Sequence, residues 1–142
     1  MDVRETDFFK ELLSMFKMEA AEHIQAIRSG LDVLNQDDAA SRYAETTESI
    51  HRAAHSLKGA ARTIGLSDVE PICQSLETFF SVMKRQKVQL SPDIKELVTQ
   101  AVEGLKILLT SVNEEGKTTA DKSELVRVVE ELNGRIPELT KQ

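Results

Sequence analysis

The residues with the richest chemistry lie in one sixteen-residue stretch, "HRAAHSLKGAARTIGL" at 51–66, which holds two of the chain's three histidines, a lysine and a mid-run glycine, with no acidic residue among them. A neutral imidazole is a good nitrogen nucleophile near neutral pH. It can take a phosphoryl group on one ring nitrogen if the other is held as an N–H donor, and a nearby carboxylate would fix that tautomer and stabilise the positive ring that forms. Lys58, one helical turn after His55, would offer its ammonium to the phosphoryl oxygens. A second chemistry is open to the same residues, because His51 and His55 at a spacing of four could clasp one zinc ion. A third ligand is not obvious: Lys58 and Arg62 flank the pair with positive charge, and His23 would have to come from another helix. A third reading is a helical interaction scaffold whose cationic face is merely solvated.

Helix geometry decides which of these residues face outward. Measured from His55, Ile50, Ala54, Leu57, Ala61 and Ile64 fall at about 220°, 260°, 200°, 240° and 180°, and form the inward side. His51, Lys58, Gly59 and Arg62 fall at about 320°, 300°, 40° and 340°, all within about 60° of His55. The histidines, the cations and the glycine therefore share the outer face. An exposed mid-helix glycine costs roughly 1 kcal/mol relative to alanine and gains no packing. What it provides is clearance beside His55 for an approaching body.

Five helical patterns are needed to position these residues. Apolar residues from Phe9 through Leu12, Leu13, Phe16, Ala20, Ile24 and Ile27 to Leu31 and Leu34 form one stripe, ended by "NQDD". A second helix runs from Ala39 or Ser41 to Ile64, with Gly65 placed to stop it. "SDVE" at 67–70 predicts a third start with Ser67 and Glu70 as a capping box, followed by Val69, Ile72, Cys73, Leu76, Phe79, Phe80 and Met83. "SPD" predicts a fourth, with Ser91 as cap and Pro92 at the first position. "DKSE" repeats the capping pattern at Asp121 and starts a shorter fifth helix, finished by Gly134 and Pro137. The expected fold is all-α: an antiparallel four-helix bundle over 1–113, a polar linker at 114–120, and a C-terminal helix and tail at 121–142 packed on the same domain. On the third helix Glu77 borders Cys73 and Phe80 at the edge of the packed face, about 100° from Leu76, where it could reach the second helix as the required carboxylate.

Composition narrows the partners. A formal charge of -6 opposes binding to phosphate backbones, and no basic tail is present. The absence of tryptophan and a 4% aromatic content favour aliphatic helix packing. No apolar run approaches the ~20 residues of a membrane span, and the start lacks the pattern of a signal peptide, so the expectation is a cytoplasmic protein that meets neither nucleic acid nor membrane. The lone Cys73 reads as a small buried residue rather than a ligand.

The stretch resembles the phosphorylation motif of histidine phosphotransfer (HPt) domains, a His, two variable residues, then Lys and Gly, here His55-Ser56-Leu57-Lys58-Gly59. The likeness extends from about Phe8 to Leu109 and is greatest to the N-terminal phosphotransfer domain of chemotaxis histidine kinases of the CheA kind. It implies a four-helix bundle with His55 as phospho-acceptor, Lys58 as phosphate-side cation, Glu77 as the residue orienting the imidazole, and Gly59, His51, Arg62 and Gln74 on the docking face. Chemotaxis-type domains often carry a second histidine where this chain has Gln74. The likeness further implies two partners, a kinase catalytic domain and response-regulator receiver domains, a monomer when isolated, and a chain that could be a fragment of a larger kinase. The six glycines are scattered and form no phosphate-cradling loop, so ATP and Mg2+ are expected on the partner kinase, Mg2+ on the regulator, and no cofactor or metal on this chain.

Overall fold

A computed structural model describes residues 3–36, 39–87 and 89–140. The chain forms α1 (Val3–Leu34), a 3-10 turn (Ala39–Arg42), α2 (Tyr43–Thr63), α3 (Glu70–Gln86), α4 (Pro92–Thr110), α5 (Ser123–Gly134) and a short α6 (Ile136–Thr140). No strand occurs among the described residues, and the fold is the expected helical bundle with an added C-terminal helix. α2 lies between α1 and α3, and α4 lies against α1. α5 packs on both α3 and α4 and closes the ring of helices, while α6 returns to α3.

The core is built from the stripes. Phe16, Ala20, Ile24 and Ile27 of α1 and Ile50, Ala54, Leu57 and Ala61 of α2 belong to one core, all nearly or fully buried. Phe79 and Phe80 of α3 pack edge to face with centroids 6.1 Å apart. Leu12 departs from its expected place, since it lies at the rim of the α1 stripe and stays exposed. Cys73 is sealed in the core; burial, aided by the Glu70 and Glu77 carboxylates, pushes its thiol up to about 12.

The helix ends show where local patterns hold and where tertiary contacts override them. Gly65 stops α2 in the left-handed conformation, φ +78°, with Leu66 N–H donating to Ala61 and Gly65 N–H to Arg62, the six-to-one and five-to-two bonds of a glycine stop. The Ser67 capping box does not form. The carbonyl of Leu66 accepts from both Val69 and Glu70, the helix begins at Glu70, and the Glu70 carboxylate turns to Arg62 instead. Ser91 does stand at the start of α4 with Pro92 first, but its hydroxyl donates to Asp93 at 2.6 Å rather than capping an amide. α5 starts at Ser123, with Asp121 accepting from the Ser123 amide and Glu124 engaged by Arg127, so that box is also incomplete. Pro137 does not end the chain's helices; it sits in the first turn of α6, where a missing N–H is tolerated. Of "NQDD", residues 37 and 38 lie outside the described residues. The polar stretch at 114–120 is fastened down, with Thr118 and Lys122 both bonded to Asp68 and Thr119 bonded to Ser111.

α2 is held at close range to α1 because Gly30 faces Ile50: a methyl group at 30 would stand 2.5 Å from Ile50 Cγ1. Gly30→Ala should therefore lower the unfolding free energy by about 1–3 kcal/mol in urea denaturation, as overpacking against a fully buried isoleucine outweighs the ~1 kcal/mol helix advantage of alanine. A gain in stability would show that the two helices can separate freely here.

Candidate functional site

α2 and α3 run antiparallel and are laced by polar pairs in a constant register. Glu48 meets Lys84, His55 meets Glu77, Lys58 meets Gln74 and Arg62 meets Glu70, so each step forward on α2 is matched by an equal step back on α3. At the N-terminal end of α2 the Tyr43 hydroxyl donates to the carbonyl of Met83 at 2.7 Å. These contacts fix the rotation of α2 against α3.

In the middle of this lacing, His55 Nδ1 is 2.8 Å from Glu77 Oε1, and the imidazole is 63% exposed. Burial alone would raise the Glu77 carboxyl, but hydrogen bonds and charge from Lys58 and His55 outweigh it and hold the group below the usual carboxylate range. An ionised carboxylate only accepts. The proton of the neutral imidazole therefore belongs on Nδ1, leaving the Nε2 lone pair free. That is the electronic state a nitrogen nucleophile needs, on the face of the molecule that a partner can reach.

Lys58 is placed differently from its outer-face expectation. Its side chain is only 13% exposed, with the ammonium 2.7 Å from Glu77 Oε2 and donating to Gln74 Oε1 at 3.0 Å. The reason is angular: at about 300° it borders the buried side, so the ammonium turns toward α3. The two carboxylate oxygens thus divide the work, Oε1 for His55 and Oε2 for Lys58. Gln74 Nε2 in turn donates to Thr78 Oγ1 at 3.1 Å. Thr78 carried no signal in the single sequence beyond its four-residue spacing from Gln74.

The remaining expected residues frame this centre. Gly59 is exposed, and a methyl group there would meet nothing within 4 Å, which leaves the space beside His55 open. Arg62 is exposed but engaged, its Nε 2.7 Å from Glu70 Oε1. His51 is half-buried on the same helix, and His23 is half-buried on α1. Among the described residues no three His, Cys, Asp or Glu side chains are grouped so as to hold a metal.

Two outcomes follow from this geometry. Because Glu77 titrates below its ordinary range when folded, the stability it contributes is fully present above about pH 5 and fades as the pH falls through the lower folded value. Urea midpoints of the wild type should accordingly exceed those of Glu77→Gln at neutral pH and converge with them in acid; a constant gap would mean that the pair is not ionic. Gly59→Ala should raise the unfolding free energy by about 0.5–1 kcal/mol, since the position is open and helical. A loss would mean that the backbone, not clearance, requires the glycine.

Comparisons with known proteins bear on the family and the fold. The family model described as the Hpt domain matches residues 11–111. Chemotaxis protein CheA of Rhizobium meliloti is 28% identical over 130 residues, covering 90% of this chain and 17% of that protein. CheA of Bacillus subtilis is 26% identical over 115 residues, covering 81% of this chain and 17% of that protein. The chain thus spans less than a fifth of the length of these relatives. The crystal structure of the phosphorylated P1 domain of CheA3 in complex with CheY6 from R. sphaeroides shares the fold, with a TM-score of 0.75 at 21% identity over 92% of this chain and 98% of that one. With an Hpt match across most of its helices and the His-x-x-Lys-Gly motif at the exposed centre of α2, the chain belongs to the Hpt domain family.

Proposed function

We propose that this chain is a phosphorelay carrier in two-component signalling, with His55 Nε2 as the atom that carries the phosphoryl group. The observation that carries the reading is the ionised Glu77 carboxylate 2.8 Å from His55 Nδ1. In the loading step Nε2 attacks the γ-phosphorus of ATP bound to a kinase domain. The N–P bond forms as the bond to the ADP oxygen breaks, and the Nδ1 proton stays on the ring against Glu77. In the unloading step an aspartate oxygen of a receiver domain attacks the same phosphorus, and the N–P bond electrons return to Nε2.

Glu77 stabilises the positive ring that exists between these steps. Lys58 directs its remaining N–H toward the phosphoryl oxygens. Gly59 clears the approach, and His51, Arg62 and Gln74 border the docking face. The chain is the substrate end of the reaction: ATP and Mg2+ reside on the kinase, Mg2+ on the receiver. In this reading it is one module of a longer cytoplasmic kinase resembling CheA, is monomeric in isolation, and docks with a receiver domain as the R. sphaeroides P1 domain does with CheY6.

Incubating the domain with a CheA-type kinase core and radiolabelled ATP should give an acid-labile, alkali-stable label. His55→Gln should abolish it; persistence of the label in that variant would overturn the assignment. Glu77→Ala should slow labelling about 10- to 100-fold, the worth of one charge-assisted hydrogen bond, with the helical circular dichroism unchanged.

A further inference from the structure

We propose that Thr78 is a positioning residue for phosphoryl transfer, acting by fixing which end of the Gln74 carboxamide faces Lys58; the proposal rests on the reading of His55 as phospho-acceptor. The argument begins with the Thr78 hydroxyl, which has one hydrogen. That hydrogen is committed to the backbone carbonyl of Gln74 one turn earlier, at 3.0 Å. Toward the Gln74 side chain Thr78 can therefore only accept, and it does so from Nε2 at 3.1 Å. The opposite end of the amide, Oε1, is thereby turned to the Lys58 ammonium, 3.0 Å away.

A glutamine amide can exchange its oxygen and nitrogen by rotating its last torsion, for which the barrier is low and the wells are two-fold. Gln74 and Thr78 are both exposed, so packing does not select the orientation. Two partners of opposite demand do: an ammonium that only donates and a hydroxyl left only with lone pairs. Without Thr78 the amide is anchored at one point and gains rotamer freedom, and the rotated form would present an NH2 to a cation.

The consequence reaches His55 through Lys58. The lysine stem is flexible and its ammonium is a point charge. Held by Gln74 on one side, it stays on Glu77 Oε2 at 2.7 Å and leaves Oε1 to His55 at 2.8 Å. Released by Gln74, it is free to range over both carboxylate oxygens, competing with the imidazole, and its third N–H no longer points in a fixed direction. Thr78 touches neither the imidazole nor the phosphoryl group. It acts through two intermediates, and its effect should therefore depend on the chemical asymmetry of residue 74.

That dependence supplies the test. Thr78→Val should lower the labelling rate by the kinase core about fivefold, the size of one net hydrogen bond, and Thr78→Ser, which keeps the hydroxyl, should restore it. In a Gln74→Glu background both ends of the side chain are oxygens and orientation has no meaning, so the effect of Thr78→Val should vanish in the double-mutant cycle. Independently of any kinase, nitrogen relaxation of the Gln74 side-chain amide should report a loss of order in Thr78→Val and its return in Thr78→Ser. Wild-type labelling by Thr78→Val, an unchanged amide order, no rescue by serine, or a full effect persisting in the Gln74→Glu background would each overturn the proposal. Labelling that survives His55→Gln would instead overturn the acceptor reading, and the amide relaxation would still decide whether Thr78 orients Gln74.

Discussion

The register of α2 against α3 is the constraint on which the site depends. His55, Lys58 and Arg62 lie on one helix, and Glu77, Gln74 and Glu70 on the other, so no local sequence feature can bring them together. What does so is the apolar seam beneath them, in which Leu57 and Ala61 lie buried beside Cys73 and Leu76. A slip of one residue would rotate α2 by about 100° relative to its partner and carry the imidazole away from the carboxylate. Hydrophobic burial thus sets the depth, and the polar pairs above it set the phase.

Within that frame Glu77 carries opposing demands. Largely covered, it loses hydration that would favour its charge, and it regains that charge only because two nitrogens face its two oxygens. Were it neutral, it could donate to Nδ1 and leave the imidazole in the wrong tautomer. Lys58 therefore acts on His55 through Glu77, by keeping ionised the carboxylate that orients the ring. A positive charge a few ångströms from a nucleophile would ordinarily discourage its loading, and here the intervening carboxylate offsets it.

Much of this was legible in the chain. The inward stripe of α2, the exposed places of His55 and Gly59, and the glycine stop at Gly65 all follow from residues one to four apart, and the structure has them as expected. The errors share a cause. Ser67 and Glu70 have the spacing of a capping box, but the Leu66 carbonyl already occupies the local amides and Arg62 on α2 claims the carboxylate. Asp121 and Glu124 fail in the same way, through Arg127. Angle alone puts Lys58 on the outer face, though a long side chain at the boundary goes where its charge is satisfied. Gly30 carried no readable role, because its importance lies in how closely a second helix approaches. The missing terms are contacts between elements.

The constant register of the α2–α3 pairs has a mechanical consequence. Exposed ion pairs taken singly add little to stability, but here the same rigid displacement of α2 would break every one of them together, along with the seam below. Small sliding motions therefore find no intermediate stopping place, and the two helices should open and close as one unit in hydrogen exchange rather than fraying residue by residue. In the proposed role, where one partner loads the histidine and another unloads it, such a lock lets the reactive group stand in solvent without wandering.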